Sequence, residues 1–268
     1  MTETPPIVLT VAGSDPSGGA GIQADLKTIH QHGGYGAAVP TLITVQSTRG
    51  VEAVELLPAD LIRAQLESLL DDVAPGAAKT GALGSTEVAH LLGSVMERTA
   101  FPWVVDPVWL PTRGRPLSKG DVVEAYRDSV IPRAAVVTPN AQEAGLLTGM
   151  PVRNLREARQ AAERILAFGA KAVLVKGGHL EGSDRGTDVL AFGEEIHALT
   201  AEQILEGRFH GSGCALSAAI ATRLAFGDDL LLAMTRAKTW LTGALAHAFA
   251  VGHGAKPVNH LWPVDEES

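Results

Sequence analysis

Two glycine-rich segments flanked by polar side chains stand near opposite ends of the sequence. The first, Gly13-Ser14-Asp15-Pro16-Ser17-Gly18-Gly19-Ala20-Gly21, holds four glycines in nine residues. Such a loop lets backbone approach a ligand closely, and a helix that starts behind it turns its free N–H groups toward an anion or polar group. The second, His210-Gly211-Ser212-Gly213-Cys214, runs directly into an Ala/Leu-rich helical pattern. Successive N–H groups at that helix start can hold a phosphate or a developing oxyanion. Cys214 falls in the first turn, where the helix dipole is expected to lower a thiol pKa. The plain alternatives are a tight strand-to-helix turn and an inert buried cysteine. Neither segment is a Walker A loop, since no Gly-Lys-Ser/Thr follows, and neither has the dinucleotide-binding spacing.

Three further polar segments follow short apolar runs. Asp106-Pro107-Val108 offers a carboxylate suited to Mg²⁺ or its waters. Thr138-Pro139-Asn140-Ala141-Gln142-Glu143 carries Asn140 and Glu143 three apart, the spacing of a capping box. The same two residues could instead stand beside a hydrated Mg²⁺ and nucleotide phosphates. Lys176-Gly177-Gly178-His179 offers a cation and pliant backbone to those phosphates. The nine histidines lack zinc-site spacing: His30 and His32 lie on different faces of a helix, and His253 and His260 have no cysteine partner. A Ser-His-Asp hydrolase is unsupported, because no Gly-x-Ser-x-Gly follows a strand.

The elements needed to position these loops are legible as alternating strand and helix patterns. Strands are expected at Ile7–Ala12, Ala38–Val45, Val51–Leu56, Ala77–Thr80, Trp103–Val105, Ala135–Val137 and Ala172–Val175. Helices are expected over Ala20–His32, from Pro58, over Ser85–Arg98, after each of the strands at Trp103 and Ala135, and over Leu155–Phe168. Val189–Phe192 and Glu195–Leu199 around Gly193 read as an edge hairpin, and Cys214–Ala225 and Asp229–Ala250 as closing helices. Apolar runs without alternation imply strands covered on both faces. The repeated strand-helix order implies a doubly wound α/β layer sandwich, whose ligands lie at the carboxyl ends of the strands. No linker, repeat or charge block divides residues 1–268, so a single domain is expected.

Composition bounds the function class. With 46% hydrophobic and 19% charged residues, the chain can build a sizeable core. Its net charge is −8 without any Lys/Arg-rich run, which argues against nucleic acid as a partner. The single cysteine excludes an internal disulfide framework and fits a reducing compartment. No basic leader and no apolar stretch of about 20 residues is present, so a cytoplasmic protein with no membrane partner is expected.

Taken together, the loops resemble the ribokinase-like superfamily, and within it the hydroxymethylpyrimidine/phosphomethylpyrimidine kinases of thiamine biosynthesis. The matching pieces are residues Ala12 to Thr28, Gln46-Ser47-Thr48-Arg49-Gly50-Val51, Lys79-Thr80-Gly81, Asp106-Pro107-Val108, Thr138-Pro139-Asn140 with Glu143, Lys176-Gly177-Gly178-His179, Gly211-Ser212-Gly213-Cys214 and Ala237-Lys238. They run in order from residue 7 to about residue 260. The first segment together with Gly-Ser-Gly-Cys is specific; any other alone is weak.

The resemblance implies a three-layer α/β/α sandwich with a mostly parallel central sheet, the cofactors ATP and Mg²⁺, and a homodimer. It implies that the chain phosphorylates a hydroxymethyl group on an aminopyrimidine and then the resulting monophosphate. It places the ring against Gly13, Ala20, Asp25, Gln46 and Val108, and the ATP phosphates near Asn140, Lys176, His210 and Lys238. Asp106 and Glu143 become metal residues. Gly211, Ser212, Gly213 and Cys214 form the anion hole, with Cys214 as the base toward the substrate hydroxyl.

Three positions depart from the pattern. Trp109-Leu110-Pro111-Thr112-Arg113-Gly114 replaces the usual Met followed by Ala-Lys-Ser-Gly, and Trp109 is expected to crowd the ring pocket or form part of a lid. Arg208-Phe209-His210 replaces Asn-Thr-His, and Ser212 replaces Thr. Two other functions suit the same features: a pyridoxal/pyridoxine-type kinase on this fold, and a non-catalytic pyrimidine-binding regulatory module.

Overall fold

Strand β1 (Ile7–Ser14) is apolar on both sides because its neighbours cover both: Val8 packs under one helical layer, Leu9 and Val11 under the other. The computed structural model describes residues 4–109, 114–118, 121–200, 207 and 209–264. Beside β1 lie β2 (Tyr35–Ser47), β3 (Gly50–Leu56), β4 (Ala77–Thr80), β5 (Trp103–Val105), β6 (Val136–Val137), β7 (Ala172–Val175), β8 (Thr187–Phe192) and β9 (Glu195–Thr200). They form one sheet in the order β3-β2-β1-β4-β5-β6-β7-β8-β9. Pairing is parallel from β2 through β7, and antiparallel at β2–β3, β7–β8 and β8–β9. The expected mostly parallel sheet and the hairpin at one edge are both present.

Helices cover the two faces. On one side α1 (Gly21–Gln31), α7 (Ser212–Ala225) and α8 (Leu230–Ala246) bury Ile29, Leu216, Ile220, Met234 and Trp240 against Val8, Val104 and Leu174. On the other, α2 (Ala59–Asp72), α3 (Thr86–Glu97), α4 (Val122–Ala125), α5 (Ala141–Thr148) and α6 (Leu155–Leu166) bury Leu66, Leu92, Leu147 and Ile165 against Val11, Val105 and Val173. Side chains alternate across each strand, so neighbouring apolar residues feed opposite layers.

Local chemistry sets the ends of the elements. Ser85 caps α3 by accepting the Val88 N–H at 3.2 Å, and Asn154 caps α6 through the Glu157 N–H at 3.0 Å. The strand from Ala38 begins earlier than expected, at Tyr35, because Gly36 and Pro40 interrupt the apolar pattern without interrupting the backbone path. After β5 the described chain is irregular until α4, which widens into a π-helical turn at Tyr126–Val130 and ends at Ile131–Arg133. Pro132 within that last turn has no N–H to continue the ladder.

A short pair, β10 (Phe209–His210) with β11 (Lys256–Pro257), was not expected from the sequence. It fixes His210 just before α7. The order β2-β1-β4-β5 reverses direction between β1 and β4, with α1 on one face and α3 on the other, and the crevice of such a sheet opens at that point.

Candidate active site

A pocket of about 210 Å³ opens at the carboxyl ends of β1, β4 and β5. Its wall takes residues from every glycine-rich or polar loop named above: Gly13, Ala20, Gln46, Asp106, Val108, Asn140, Glu143, Lys176, His210, and Gly211 through Cys214. Sequence positions as far apart as 13 and 214 thus share one cavity. Asp25 and Lys238 do not line it.

The start of α7 forms one end of the site. Gly211 precedes the helix with φ +77°, a left-handed conformation that favours glycine, and a Cβ there would run into the Gly19 carbonyl oxygen. The helix begins as Ser212-Gly213-Cys214, whose N–H groups have no partner one turn earlier. A Cβ on Gly213 would stand 3.0 Å from Lys176 Nζ and 3.4 Å from Asp106 Oδ2. Bare backbone therefore meets an ammonium and a carboxylate at close range.

Lys176 follows β7 and reaches back to Asp106 at the end of β5. Its Nζ lies 2.7 Å from Asp106 Oδ1 and 3.9 Å from Glu143 Oε2. Thr138 Oγ1 donates to the same Asp106 oxygen at 3.1 Å, while Asp106 Oδ2 is buried with no partner among the described residues. Asn140 and Glu143 do form the capping box: Glu143 N–H donates to Asn140 Oδ1 at 2.9 Å, and Asn140 N–H to Glu143 Oε2 at 2.7 Å. Capping leaves both side chains on the pocket wall, so the two readings of this pair are compatible. Burial pushes the Glu143 carboxyl up to about 7, with Lys176 opposing and Asp106 adding to the rise.

Cys214 departs from expectation. It is partly exposed, yet desolvation outweighs the helix start, and its thiol is pushed up to about 12. Lys79 and the Gly21 N–H pull it down; the charges of Asp25 and Asp106 push it further up. The sulfur is a thiol, not a ready thiolate, because nearby carboxylates and burial exceed what half a dipole charge supplies.

Asp25, Lys238 and Trp109 stand off the pocket wall. Asp25 lies beneath the pocket, fully buried, with Lys79 Nζ at 3.0 Å and Thr10 Oγ1 donating at 2.6 Å. A carboxylate so enclosed is spent on internal partners. Lys79 has no role in the sequence reading although it stands in the Lys79-Thr80-Gly81 segment; burial opposes its charge, but Asp25, Cys214 and Asp106 hold its pKa above the ordinary lysine value. Lys238 pairs with Asp188 at 2.6 Å, and Asp188 in turn accepts the Gly177 N–H at 2.7 Å. Lys238 thereby braces the Lys176-Gly177 turn through Asp188. Trp109 is 4% exposed and packs edge-on against Tyr126 with ring centroids 5.4 Å apart. It belongs to the core and not to the pocket lining. Leu110 through Arg113, and Arg208, lie outside the described residues.

His210, expected among the phosphates, lines the pocket just before α7 and stands beside Gln46 and Asp15. Asp15 was not assigned a role from sequence. It accepts N–H groups of Ser17 and Ala20, both at 2.9 Å, and pairs with His210 Nε2 at 2.8 Å. Burial works against its charge, but the bonds from His210 and Ser17 hold its carboxyl below the usual range.

The sequence that carries this geometry matches a known family. A model of the family described as phosphomethylpyrimidine kinase matches residues 15–259. The chain belongs to the phosphomethylpyrimidine kinase family. One member of similar length, the hydroxymethylpyrimidine/phosphomethylpyrimidine kinase of Streptomyces coelicolor, is 43% identical over 98% of this chain and 97% of its own. Among solved structures, the phosphomethylpyrimidine kinase of Clostridium difficile is 38% identical with TM-score 0.78, covering 88% of this chain and 98% of that one. An ADP complex of Bacillus subtilis pyridoxal kinase is 34% identical with TM-score 0.88, covering 97% and 98%. The three-layer α/β/α fold is thus shared with phosphomethylpyrimidine and pyridoxal kinases alike. Within the phosphomethylpyrimidine kinase family the Gly-Ser-Gly-Cys helix start and the Asp106–Lys176 pair of this chain form one wall of its pocket.

Proposed function

We propose that the chain, acting as one ribokinase-like unit, transfers the γ-phosphoryl group of ATP to hydroxymethylpyrimidine and then to its monophosphate, in thiamine biosynthesis. The observation that supports this best is the bare α7 start facing Lys176 and Asp106 across a cavity of about 210 Å³. Phosphoryl transfer asks the protein chiefly for positioning and charge stabilisation. The free N–H groups from Ser212 to Cys214 receive the transferring group, and Lys176 neutralises phosphate charge. Gly13, Ala20, Gln46 and Val108 border the ring. Cys214 takes the proton of the substrate hydroxyl, which first requires its thiol to ionise.

The donor set suits Mg²⁺. Asp106 brings a buried oxygen without a partner among the described residues, Glu143 a second carboxylate, and Asn140 an amide oxygen. Mg²⁺ ordinarily keeps several waters and binds through one or two carboxylates plus phosphates. Among the described residues no cluster of three His, Cys, Asp or Glu is present, in keeping with that mode rather than with an all-protein cage. When bound, the ion would supply charge neutralisation to the ATP phosphates.

We further propose a cytoplasmic homodimer. No helix among the described residues is long and apolar enough to cross a membrane. On β2, Ile43 and Val45 are 50% and 58% exposed and, being two apart, share one face that a second copy would cover. Sedimentation of wild type against Ile43→Lys/Val45→Lys tests this: a wild-type monomer contradicts it.

The kinase reading is tested by coupled ADP release with hydroxymethylpyrimidine, its monophosphate and pyridoxal as acceptors. Both pyrimidines should be turned over, with pyridoxal the poorer acceptor. Turnover of pyridoxal alone would assign the chain to the pyridoxal type, and turnover of none would leave a binding module.

A further inference from the structure

Asp15, His210 and Gln46, from three distant parts of the chain, meet on one wall of the pocket. His210 Nε2 stands 2.8 Å from Asp15 Oδ2 and 3.0 Å from the terminal amide of Gln46. Asp15 already receives the N–H groups of Ser17 and Ala20 and the Ser17 hydroxyl. A carboxylate so supplied with donors is an acceptor only, so the contact with His210 requires a hydrogen on Nε2. A ring nitrogen bearing hydrogen cannot accept from an amide N–H. The half-turn that satisfies the contact directs Gln46 Oε1 to His210, where it shares the single Nε2 hydrogen with Asp15 Oδ2 in a three-centre bond, and turns the NH₂ group away from it.

The ring itself is held. β10 pairs with β11, and a Cβ on Gly19 would stand 2.7 Å from His210 Cδ2 and 3.4 Å from Pro257 Cβ, so the glycine-rich loop packs closely against the imidazole. Asp15 and Gly19 of one loop thus fix both the orientation and the protonated nitrogen of His210.

We propose that Asp15 is a positioning residue which, through His210 Nε2–H, fixes the Gln46 amide so that its NH₂ faces the pocket and selects rings offering a lone pair, such as an unprotonated ring nitrogen, at that edge. This rests on reading the pocket as a site for a heteroaromatic ring alcohol, and it adds a source of ring selectivity. Asn at position 15 can donate to His210 as well as accept from it, which releases the tautomer and with it the direction of Gln46. Glu at position 46 keeps an acceptor toward His210 but presents only acceptors to the ring.

The experiment combines kinetics with ¹⁵N-histidine NMR of the full chain, the His210 signal being assigned by its loss in His210→Gln. In wild type the hydrogen should reside on Nε2. Asp15→Asn should raise KM for the pyrimidine alcohol roughly 10-fold, the worth of about one hydrogen bond, and change KM for ATP less than 2-fold. Gln46→Glu should raise the same KM at least as much. A wild-type His210 protonated only on Nδ1 overturns the proposal, as does an unchanged pyrimidine KM in Gln46→Glu. If Asp15→Asn does not fold, the wild-type tautomer and Gln46→Glu decide. If wild type turns over no ring alcohol, the functional reading fails separately, and the tautomer still tests the Asp15–His210 link.

Discussion

Gly213 and Lys176 face each other so closely that a single methyl group on the glycine would lie 3.0 Å from the lysine ammonium. In the proposed function the amino end of α7 and the cation after β7 serve as one phosphate cradle, and the space between them has no room to spare. Gly213→Ala should displace Lys176 or the helix start by a few tenths of an ångström or more. Misplacement on the scale of 1 Å can cost about 10²-fold in rate. kcat/KM is expected to fall by roughly that factor while the melting temperature holds, because Ala is the better helix former. Unchanged kinetics would show that the two groups do not share a ligand.

Lys79 and Asp25 give a prediction on stability. Both are fully buried, and removing one partner of such a pair strands the other charge, which typically costs about 3–5 kcal/mol. Asp25→Asn should therefore lower unfolding free energy in urea by about that amount. A strong rise in pyrimidine KM with stability intact would instead return Asp25 to the ring site, where the sequence resemblance placed it.

Cys214 predicts a pH dependence. If, as proposed, the thiol takes the substrate proton, it must first be deprotonated; burial has raised it to about 12, so only a small thiolate fraction exists near neutrality and it grows tenfold per pH unit. kcat should climb across the neutral and alkaline range without levelling near pH 7. Cys214→Ser should lower kcat by about 10²–10⁴-fold, the usual worth of a general base, and flatten that climb. Iodoacetamide should modify Cys214 more slowly than free cysteine. A plateau at pH 7, or full kcat in Cys214→Ser, would remove the thiol from the mechanism.

His32 ties stability to pH at a place remote from the pocket. Its ring packs edge-on against Trp240 at 4.7 Å, neither nitrogen has a hydrogen-bond partner among the described residues, and burial followed by the Arg223 charge lowers its pKa to about 4. The folded protein thus holds this imidazole neutral where the unfolded chain, with a pKa near the ordinary 6.5, protonates it. Its contribution is complete above about pH 6.5 and is lost as the pH falls toward 4. His32→Phe should flatten that acid limb of the stability curve measured in urea, and an identical limb would contradict the assignment.

Much of this was legible in the sequence for a physical reason. Buried parallel strands such as Val173–Val175 must be apolar throughout, and loops such as Gly211–Gly213 must be small where backbone meets ligand, so both leave compositional marks. What escaped was pairing between distant residues. Nothing local distinguishes Asp25, enclosed with Lys79, from an aspartate lining a pocket, nor Lys238, engaged with Asp188, from a phosphate ligand. Trp109 looked like an obstacle to the ring, yet it packs edge-on against Tyr126 within one core cluster. The Cys214 thiol was misjudged because the helix start is local, whereas the burial that raises its pKa most, and the charges of Asp25 and Asp106 that add to it, arise only in three dimensions.

The central claim is two successive phosphoryl transfers to one pyrimidine alcohol. Mass spectrometry of the products formed by purified protein from hydroxymethylpyrimidine and Mg-ATP tests it most directly. The monophosphate should appear first and then give way to the diphosphate. No pyrimidine phosphate at all, while pyridoxal supplied in place of the pyrimidine is phosphorylated, would contradict it.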